Sequence, residues 1–478
     1  MIKSKMPENI IADERNHVEK PLLDQLAGLG WEIIDLDGKQ HPADSYRRNF
    51  TEVVMVQVLR DQLKVINPWL EDDQIEEVVK QLTASFPGTG LIQNNRYVLD
   101  LLLENTSVSE NRRTSEKSPT VRFVDFAHRD NNRFIAVCQF KVRILGTEHY
   151  IIPDIVLFLN GLPVVVVECK SPKVKDAIPE AIDQILRYSE QRGAKGEGSA
   201  HYRYQAYLLP GAADPYPRTV DDLEHGKSGP NDQQRLVAGM LDSDNLLDLI
   251  CTFTLFSTND KGETIKMVGR YQQFRAVKLA VKRLLEGQSP RERSGIIWHT
   301  QGSGKSLTMM FMVREMYRHP QLSRWKVIFV TDRTQLENQL HETSQSIGFT
   351  VKVADSIKKL KALLRSDSSD LVMAMIHKFR EVDLTETFPE LNPSPHILVM
   401  TDEAHRSQYA MLAANLDKGI PNASRIGYTG TPIDKTERVF GDYIDKYTMR
   451  QSIEDGVTLE IVYEGRTHNA EVPDREGM

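Results

Sequence analysis

Residues 295–307 read Gly-Ile-Ile-Trp-His-Thr-Gln-Gly-Ser-Gly-Lys-Ser-Leu, an apolar run that turns through closely spaced glycines into Lys305-Ser306. The apolar part predicts a strand, and the residues after Lys305 predict a helix, with only a short turn between them. Gly302 and Gly304 let backbone N–H groups turn inward with no Cβ in the way, and the positive end of the following helix faces the same hollow. Such a hollow cradles phosphate. Lys305 is placed to reach the β- and γ-phosphates and Ser306 to offer its hydroxyl to Mg²⁺, with Thr300 and Ser303 counted among the nucleotide-binding residues. The loop departs from the usual phosphate-loop pattern at its first position, where His299 stands in place of glycine.

The flanking sequence agrees with a strand–loop–helix unit of this kind. A helical pattern over 274–286 precedes the loop, and the apolar, unalternated runs 326–331, 371–376 and 396–401 predict strands separated by helical stretches. Alternating strands and helices of that character mean a parallel sheet covered on both faces. The last run ends in Asp402-Glu403, at the C-terminal strand tip where ligands of parallel sheets sit. Asp402 is suited to hold Mg²⁺, directly or through water, and Glu403 to orient or deprotonate the attacking water.

At 478 residues the chain exceeds one core and predicts two to three domains. Hydrophobic residues make up 40% and charged residues 27%, with no run of about eighteen apolar residues and no charged-then-apolar leader, so no membrane partner is expected and the cytoplasm is the default. The net charge of −7 argues against a generally basic nucleic-acid protein but leaves room for local basic grooves. Cys138, Cys169 and Cys251 lack metal or disulfide spacing and are expected in the core of a protein from a reducing compartment.

The first hundred residues read as helical. Over 18–31, Leu22, Leu23, Leu26 and Leu29 follow helical spacing and Gly30 is a plausible C-cap. Glu19 lies on that stripe, either as an acid in a first helical turn or as an acid turned toward a metal. From about 121 to 167 the pattern changes to strands, over 134–142, 150–152 and 155–159. Residues 192–234, rich in Gly, Pro, Asp and Lys, read as an irregular loop, 245–251 as a returning helix, and 235–260 as containing a domain boundary.

Within the strand region, Asn160-Gly161 is a strong hairpin signal. Glu168 and Lys170 are two apart on one strand and face the same side. A plain two-residue turn would pair Asp154 with Val167 and send Glu168 to the opposite face, so bringing the two carboxylates together requires one extra residue near Leu162-Pro163. With that bulge, Asp154, Glu168 and Lys170 converge. Two carboxylates can bind Mg²⁺, which lowers the pKa of a bound water, and an ammonium beside them can serve the attacking water or a scissile phosphate, the needs of phosphodiester hydrolysis. Gln184 and Tyr188 follow on one face of a helix, four residues apart.

The Thr300-x-Gly302-x-Gly304-Lys305-Ser306 loop, Asp402-Glu403-Ala404-His405, the 424–432 segment Ser-Arg-Ile-Gly-Tyr-Thr-Gly-Thr-Pro and the 330–339 segment with Asp332-Arg333 resemble, in the right order, the motifs of the first motor domain of superfamily-two helicases and translocases. That resemblance implies that His405, Thr429, Gly430 and Thr431 couple nucleotide state to DNA contact, and that Asp332 and Arg333 lie near the nucleic-acid backbone. It also makes Arg270, Tyr271 and Gln272 an adenine-reading element, Gln272 meeting the adenine edge and Tyr271 able to stack. Gln184-x-x-x-Tyr188 resembles the auxiliary motif of exonuclease-like Asp-Glu-x-Lys nucleases, which makes both residues catalytic candidates beside Asp154, Glu168, Lys170 and Glu403.

Together these segments resemble the restriction, or motor, subunit of type I restriction enzymes. The resemblance implies an α/β chain in which a restriction-endonuclease-like domain over 1–240, with its core at about 120–190, precedes a RecA-like parallel-sheet motor domain over 241–455, and 456–478 begin a linker toward a second motor domain. It implies ATP and Mg²⁺ as cofactors, double-stranded DNA as substrate, and methyltransferase and specificity subunits as partners. Since the chain stops about fifty residues after Thr429-Gly430-Thr431, an N-terminal fragment is expected, one that binds ATP without translocating. A repair or remodelling helicase with an inactive nuclease-like domain, and a nucleotide-gated DNA-binding module, stay open as alternatives on sequence alone.

Overall fold

The computed structural model describes residues 14–38, 41–83, 90–104, 106–144, 147–188, 232–258, 261–331, 350–366, 368–375, 389–402, 409–432 and 434–459. The first sheet has four strands in the order β1-β2-β3-β4: β1 (Glu32–Asp35), β2 (Phe134–Cys138), β3 (Ile155–Leu159) and β4 (Leu162–Val167). β1 runs parallel to β2, and the other pairings are antiparallel. Every residue of β2 and β3 is buried, so this sheet is covered on both faces. The cover comes partly from helices α1 (Lys20–Gly28), α2 (Val56–Ile66), α3 (Asp72–Thr83) and α4 (Leu91–Glu104), whose leucines and valines fill the same buried cluster as the strands.

The all-helical expectation for the first hundred residues is therefore corrected by β1, whose four residues are too few to display a period of two. The helix expected over 18–31 begins earlier, with a π turn at Arg15–Glu19, and ends at Gly28 before Gly30 takes a left-handed φ of 88°. The strand expected over 134–142 stops at Cys138. There Gln139 adopts φ 57° and its N–H bonds the Asp154 carbonyl at 2.7 Å, which redirects the backbone into the short Val142–Arg143 and Tyr150–Ile151 ribbon.

After α5 (Ala177–Arg187), residues 192–231 of the expected irregular region lie outside the described residues, whereas Asp232 to Gln234 belong to helix α6 (Asp232–Met240). Helix α7 (Ser243–Cys251) follows, where Asp242 caps the first turn by accepting from the N–H groups of Asp244 and Asn245. Helix α8 (Tyr271–Glu286) leads into the second sheet.

That sheet is wholly parallel, with strands β5 (Gly295–His299), β6 (Lys326–Thr331), β7 (Val351–Ala354), β8 (Leu371–Met375), β9 (Ile397–Asp402), β10 (Ser424–Thr429) and β11 (Tyr443–Tyr447). Their order is β7-β8-β6-β9-β10-β5-β11. Strands β6 and β9 are buried throughout, which is why their sequences show no alternation. Between β5 and β6 runs α9 (Lys305–Arg318). The two sheets share one apolar cluster, and across the join the Trp31 indole N–H donates to the Leu241 carbonyl at 2.8 Å. All three cysteines are buried and free, and among the described residues no helix is long and apolar enough to cross a membrane.

Candidate functional site

The β3–β4 hairpin positions the first cluster. Asn160 and Gly161 both take positive φ, 52° and 85°, the pairing a tight two-residue hairpin turn uses. The Asn160 amide donates to the Phe123 carbonyl and the Asn132 side chain, each at 2.9 Å, while a Cβ on Gly161 would lie 2.6 Å from the Met55 carbonyl. Leu159 faces Leu162 and Phe158 faces Pro163, but Leu157 faces Val165 and Ile155 faces Val167, so Val164 is the inserted residue. One step further, Asp154 comes opposite Glu168. The bulge lies one residue past the Leu162-Pro163 pair expected to host it, and it has the required effect on register.

Asp154 is 7% exposed; its Oδ2 accepts the Cys169 N–H at 2.8 Å, and its Oδ1 lies 3.5 Å from the Gln139 amide nitrogen. The Glu168 side chain is fully buried and neither oxygen has a hydrogen bond of proper geometry. Burial first, and the Asp154 charge second, push its pKa up to about 9. The Lys170 ammonium sits 3.8 Å from Glu168 and donates to the Cys169 carbonyl at 2.7 Å. From α5 the Gln184 amide donates to the Tyr188 hydroxyl at 2.9 Å, and burial, followed by the Glu168 charge, raises the Tyr188 pKa well above its ordinary value.

Glu19 belongs to this group. It is 3% exposed, salt-bridged to Arg15 at 2.6 Å, and 3.3 Å from the Gln139 amide. Because the helical run starts before it, Glu19 is not an acid of the first turn. Glu14, Glu19 and Asp154 each present a carboxylate oxygen within 4.8 Å of the others. Glu14 escaped the sequence reading because it lies five residues from Glu19, one more than α-helical spacing allows, and only the π turn brings the two together. Burial and the Asp154 charge raise its pKa too. Glu14 of this trio and the neighbouring Glu168 both hold their protons more tightly than an ordinary carboxyl, and carboxylates crowded in this way suit a hard divalent cation such as Mg²⁺.

The second cluster lies at the C-terminal ends of the parallel strands. Strand β5 ends at His299, Gly302 and Gly304 take φ of 82° and 81°, and α9 starts at Lys305. Thr300 and Ser303 are buried, the Ser303 hydroxyl has no hydrogen-bond partner, and Ser306 opens the first turn of α9. Gly430 closes over the loop: a Cβ there would lie 3.6 Å from the Lys305 ammonium, and its carbonyl accepts from Trp298 at 3.2 Å. Thr429 ends β10 beside β5, and the Thr431 N–H turns back to the Thr429 hydroxyl at 3.2 Å. Asp402 ends β9, opposite Tyr428 of β10, on the same sheet edge.

Arg270 caps α8, and the next residues supply the element expected to read a base. Gln272 is completely buried, yet neither atom of its amide has a hydrogen-bond partner. An amide left this way fits the donor–acceptor edge of adenine. Tyr271 is 1% exposed, packed edge-on against Tyr447 with its hydroxyl on Asp455. Gln273, which had no assigned role, donates from its amide to the Gly304 carbonyl at 3.0 Å and so ties α8 to the phosphate loop. Glu403, His405, Asp332 and Arg333 lie outside the described residues.

Comparison with known proteins covers both clusters. Residues 11–209 match the family model described as type I restriction enzyme R protein N terminus, and residues 272–478 match the SWI2/SNF2 ATPase model. The chain is 34% identical to the type I restriction enzyme HindI endonuclease subunit of Haemophilus influenzae, over 94% of this chain and 46% of that protein. It is 29% identical to the putative type I restriction enzyme MjaIXP endonuclease subunit of Methanocaldococcus jannaschii, over the same 94% and 46%. The chain thus spans about half the length of these relatives. A solved structure of a nuclease-deletion mutant of the type ISP restriction-modification enzyme LlaGI with a DNA substrate mimic superposes with TM-score 0.30, at 18% identity over 39% of this chain and 20% of that one, too loosely to carry weight.

Proposed function

This chain belongs to the family of type I restriction enzyme R proteins, and from that premise we propose that it supplies the endonuclease unit and the first motor unit of the ATP-dependent translocase and Mg²⁺-dependent endonuclease subunit of such an enzyme, which cuts unmodified duplex DNA away from the recognition site. In this reading 1–240 form the endonuclease unit, 241–455 the first motor unit, and 456–478 the start of a linker. The partners are methyltransferase and specificity subunits, and the setting is the cytoplasm.

The observation that carries the nuclease half is the register of β3 on β4, which sets Asp154 against Glu168 with Lys170 at 3.8 Å. Asp154 and Glu168, with Glu19 beside them, are the residues to hold Mg²⁺, which when bound lowers the pKa of a water and polarises the scissile phosphate. Glu168 gives up its proton to enter that role. Lys170 holds a positive charge beside the reacting phosphate, and Gln184 fixes the Tyr188 hydroxyl at the edge of the cluster. In the motor, Lys305 binds the β- and γ-phosphates, Ser306 and Asp402 hold the nucleotide's Mg²⁺, and Glu403 orients the water; His405, Thr429, Gly430 and Thr431 pass the nucleotide state to DNA held near Asp332 and Arg333.

Glu168→Ala in the assembled restriction complex tests this function. The expected result is intact ATP hydrolysis with no double-strand cuts in unmodified circular DNA. Cutting at the wild-type rate would take the nuclease site away from this cluster.

A further inference from the structure

The first position of the phosphate loop, which glycine ordinarily fills, is occupied by His299, and this side chain is 0% exposed. Its Nε2 meets Asp445 Oδ2 at 2.7 Å, and burial holds its pKa below the ordinary histidine value. The neutral ring therefore donates Nε2–H to the carboxylate, with Nδ1 buried and unbonded. Asp445 is gripped from the other side by Arg275, whose Nε donates to Oδ1 at 2.7 Å and whose Nη2 donates to Oδ2 at 3.1 Å and to the Lys446 carbonyl at 3.0 Å. A bidentate guanidinium on a buried carboxylate is a stiff join.

Arg275 lies on α8, the helix that begins with Tyr271-Gln272-Gln273. The same helix grips the far end of the loop through Gln273 and the Gly304 carbonyl, at 3.0 Å. Strand β11, which carries Asp445, takes the Thr300 N–H on its Tyr447 carbonyl at 3.0 Å. The hydroxyls of Tyr447 and Tyr271 both donate to Asp455. Both ends of the phosphate loop are thus fastened to the helix that presents the unbonded Gln272 amide, one end directly and the other through Asp445.

We propose that His299, Asp445 and Arg275 form a positioning relay that sets the phosphate loop at a fixed spacing from the base-reading amide, so that a purine matching Gln272 strengthens the grip on the phosphates. The inference rests on the nucleotide-binding reading and adds residues to it that contact neither base nor phosphate. A stiff coupling of this type shows as an interaction between distant substitutions and as base selectivity. A loop that is merely well folded shows neither.

The test is a double-mutant cycle on the 478-residue chain, with Mg-ADP and Mg-GDP affinities read by displacement of a fluorescent nucleotide. Asp445→Asn should weaken ADP about tenfold and GDP less than twofold, and adding it to Gln272→Ala should cost no further ADP affinity. Lys305→Ala should weaken both nucleotides alike. Equal loss of ADP and GDP in Asp445→Asn, or additive losses in the cycle, would overturn the relay. If Asp445→Asn does not fold, Arg275→Gln, which leaves the His299–Asp445 pair in place, takes its position in the same cycle with the same two outcomes. Lys305→Ala indistinguishable from wild type would instead overturn the nucleotide reading beneath the relay, as would a wild-type chain that does not prefer ADP.

Discussion

At the scale of the residue, Glu168 carries the sharpest consequence. Its folded pKa of about 9 stands above the ordinary 4.5, so the folded state favours the protonated acid. Stability from that preference is complete below pH 4.5 and is lost as pH rises toward 9, because the unfolded chain ionises freely while the folded chain resists. Glu168→Gln keeps the shape without the ionisation. Its Tm advantage over wild type, in chelator, should therefore be small at pH 5 and grow by several degrees at pH 8, and Mg²⁺ at pH 8 should raise the Tm of wild type but not of the variant. Parallel Tm curves across that range would contradict the buried, proton-holding carboxylate. Gln272→Ala is expected to weaken Mg-ADP by about tenfold while leaving inorganic tripolyphosphate binding unchanged, as measured by calorimetry. Equal losses would remove the amide from base contact. Asp154, Glu168 and Lys170 were legible because strand alternation and a hairpin turn constrain them strongly. Glu14 was not, since its approach depends on a π turn that leaves no periodic mark.

At the scale of the element, the β3–β4 hairpin is where sequence and geometry constrain one another most tightly. The need for an extra residue followed from counting faces, but its place at Val164 did not, because either side of Pro163 satisfies the count. Gly161→Ala should destabilise the chain by about 2 kcal/mol or more in urea unfolding, since alanine resists a φ of 85° and its Cβ would press on the Met55 carbonyl. A change within about 0.5 kcal/mol would mean that the turn relaxes freely. Strands β5 and β9 were readable as apolar runs leading into the phosphate loop and the carboxylate tip, and β6 and β8 as unalternated apolar runs. Strands β1, β7 and β11 were not: each is four or five residues long and mixes charge with apolar residues, so it depends on its neighbours in the sheet for its conformation.

At the scale of the whole molecule, the chain joins two sheets of different build: a small mixed sheet carrying the carboxylates and a seven-stranded parallel sheet carrying the phosphate loop. The net charge of −7 was uninformative, because the features that decide function are the local signs of these two hollows. The central claim is that cutting and nucleotide use are separate chemistries in one polypeptide. Its most direct measurement is to follow ATP hydrolysis and double-strand cutting in one reaction, with the assembled complex carrying Asp154→Ala, Glu168→Ala, Lys170→Ala or Lys305→Ala. The three substitutions in the carboxylate cluster should abolish cutting, by at least about a hundredfold, with ATP hydrolysis within about twofold of wild type, whereas Lys305→Ala should abolish both. Cutting that survives all three cluster substitutions, or ATP hydrolysis that survives Lys305→Ala, would contradict the account.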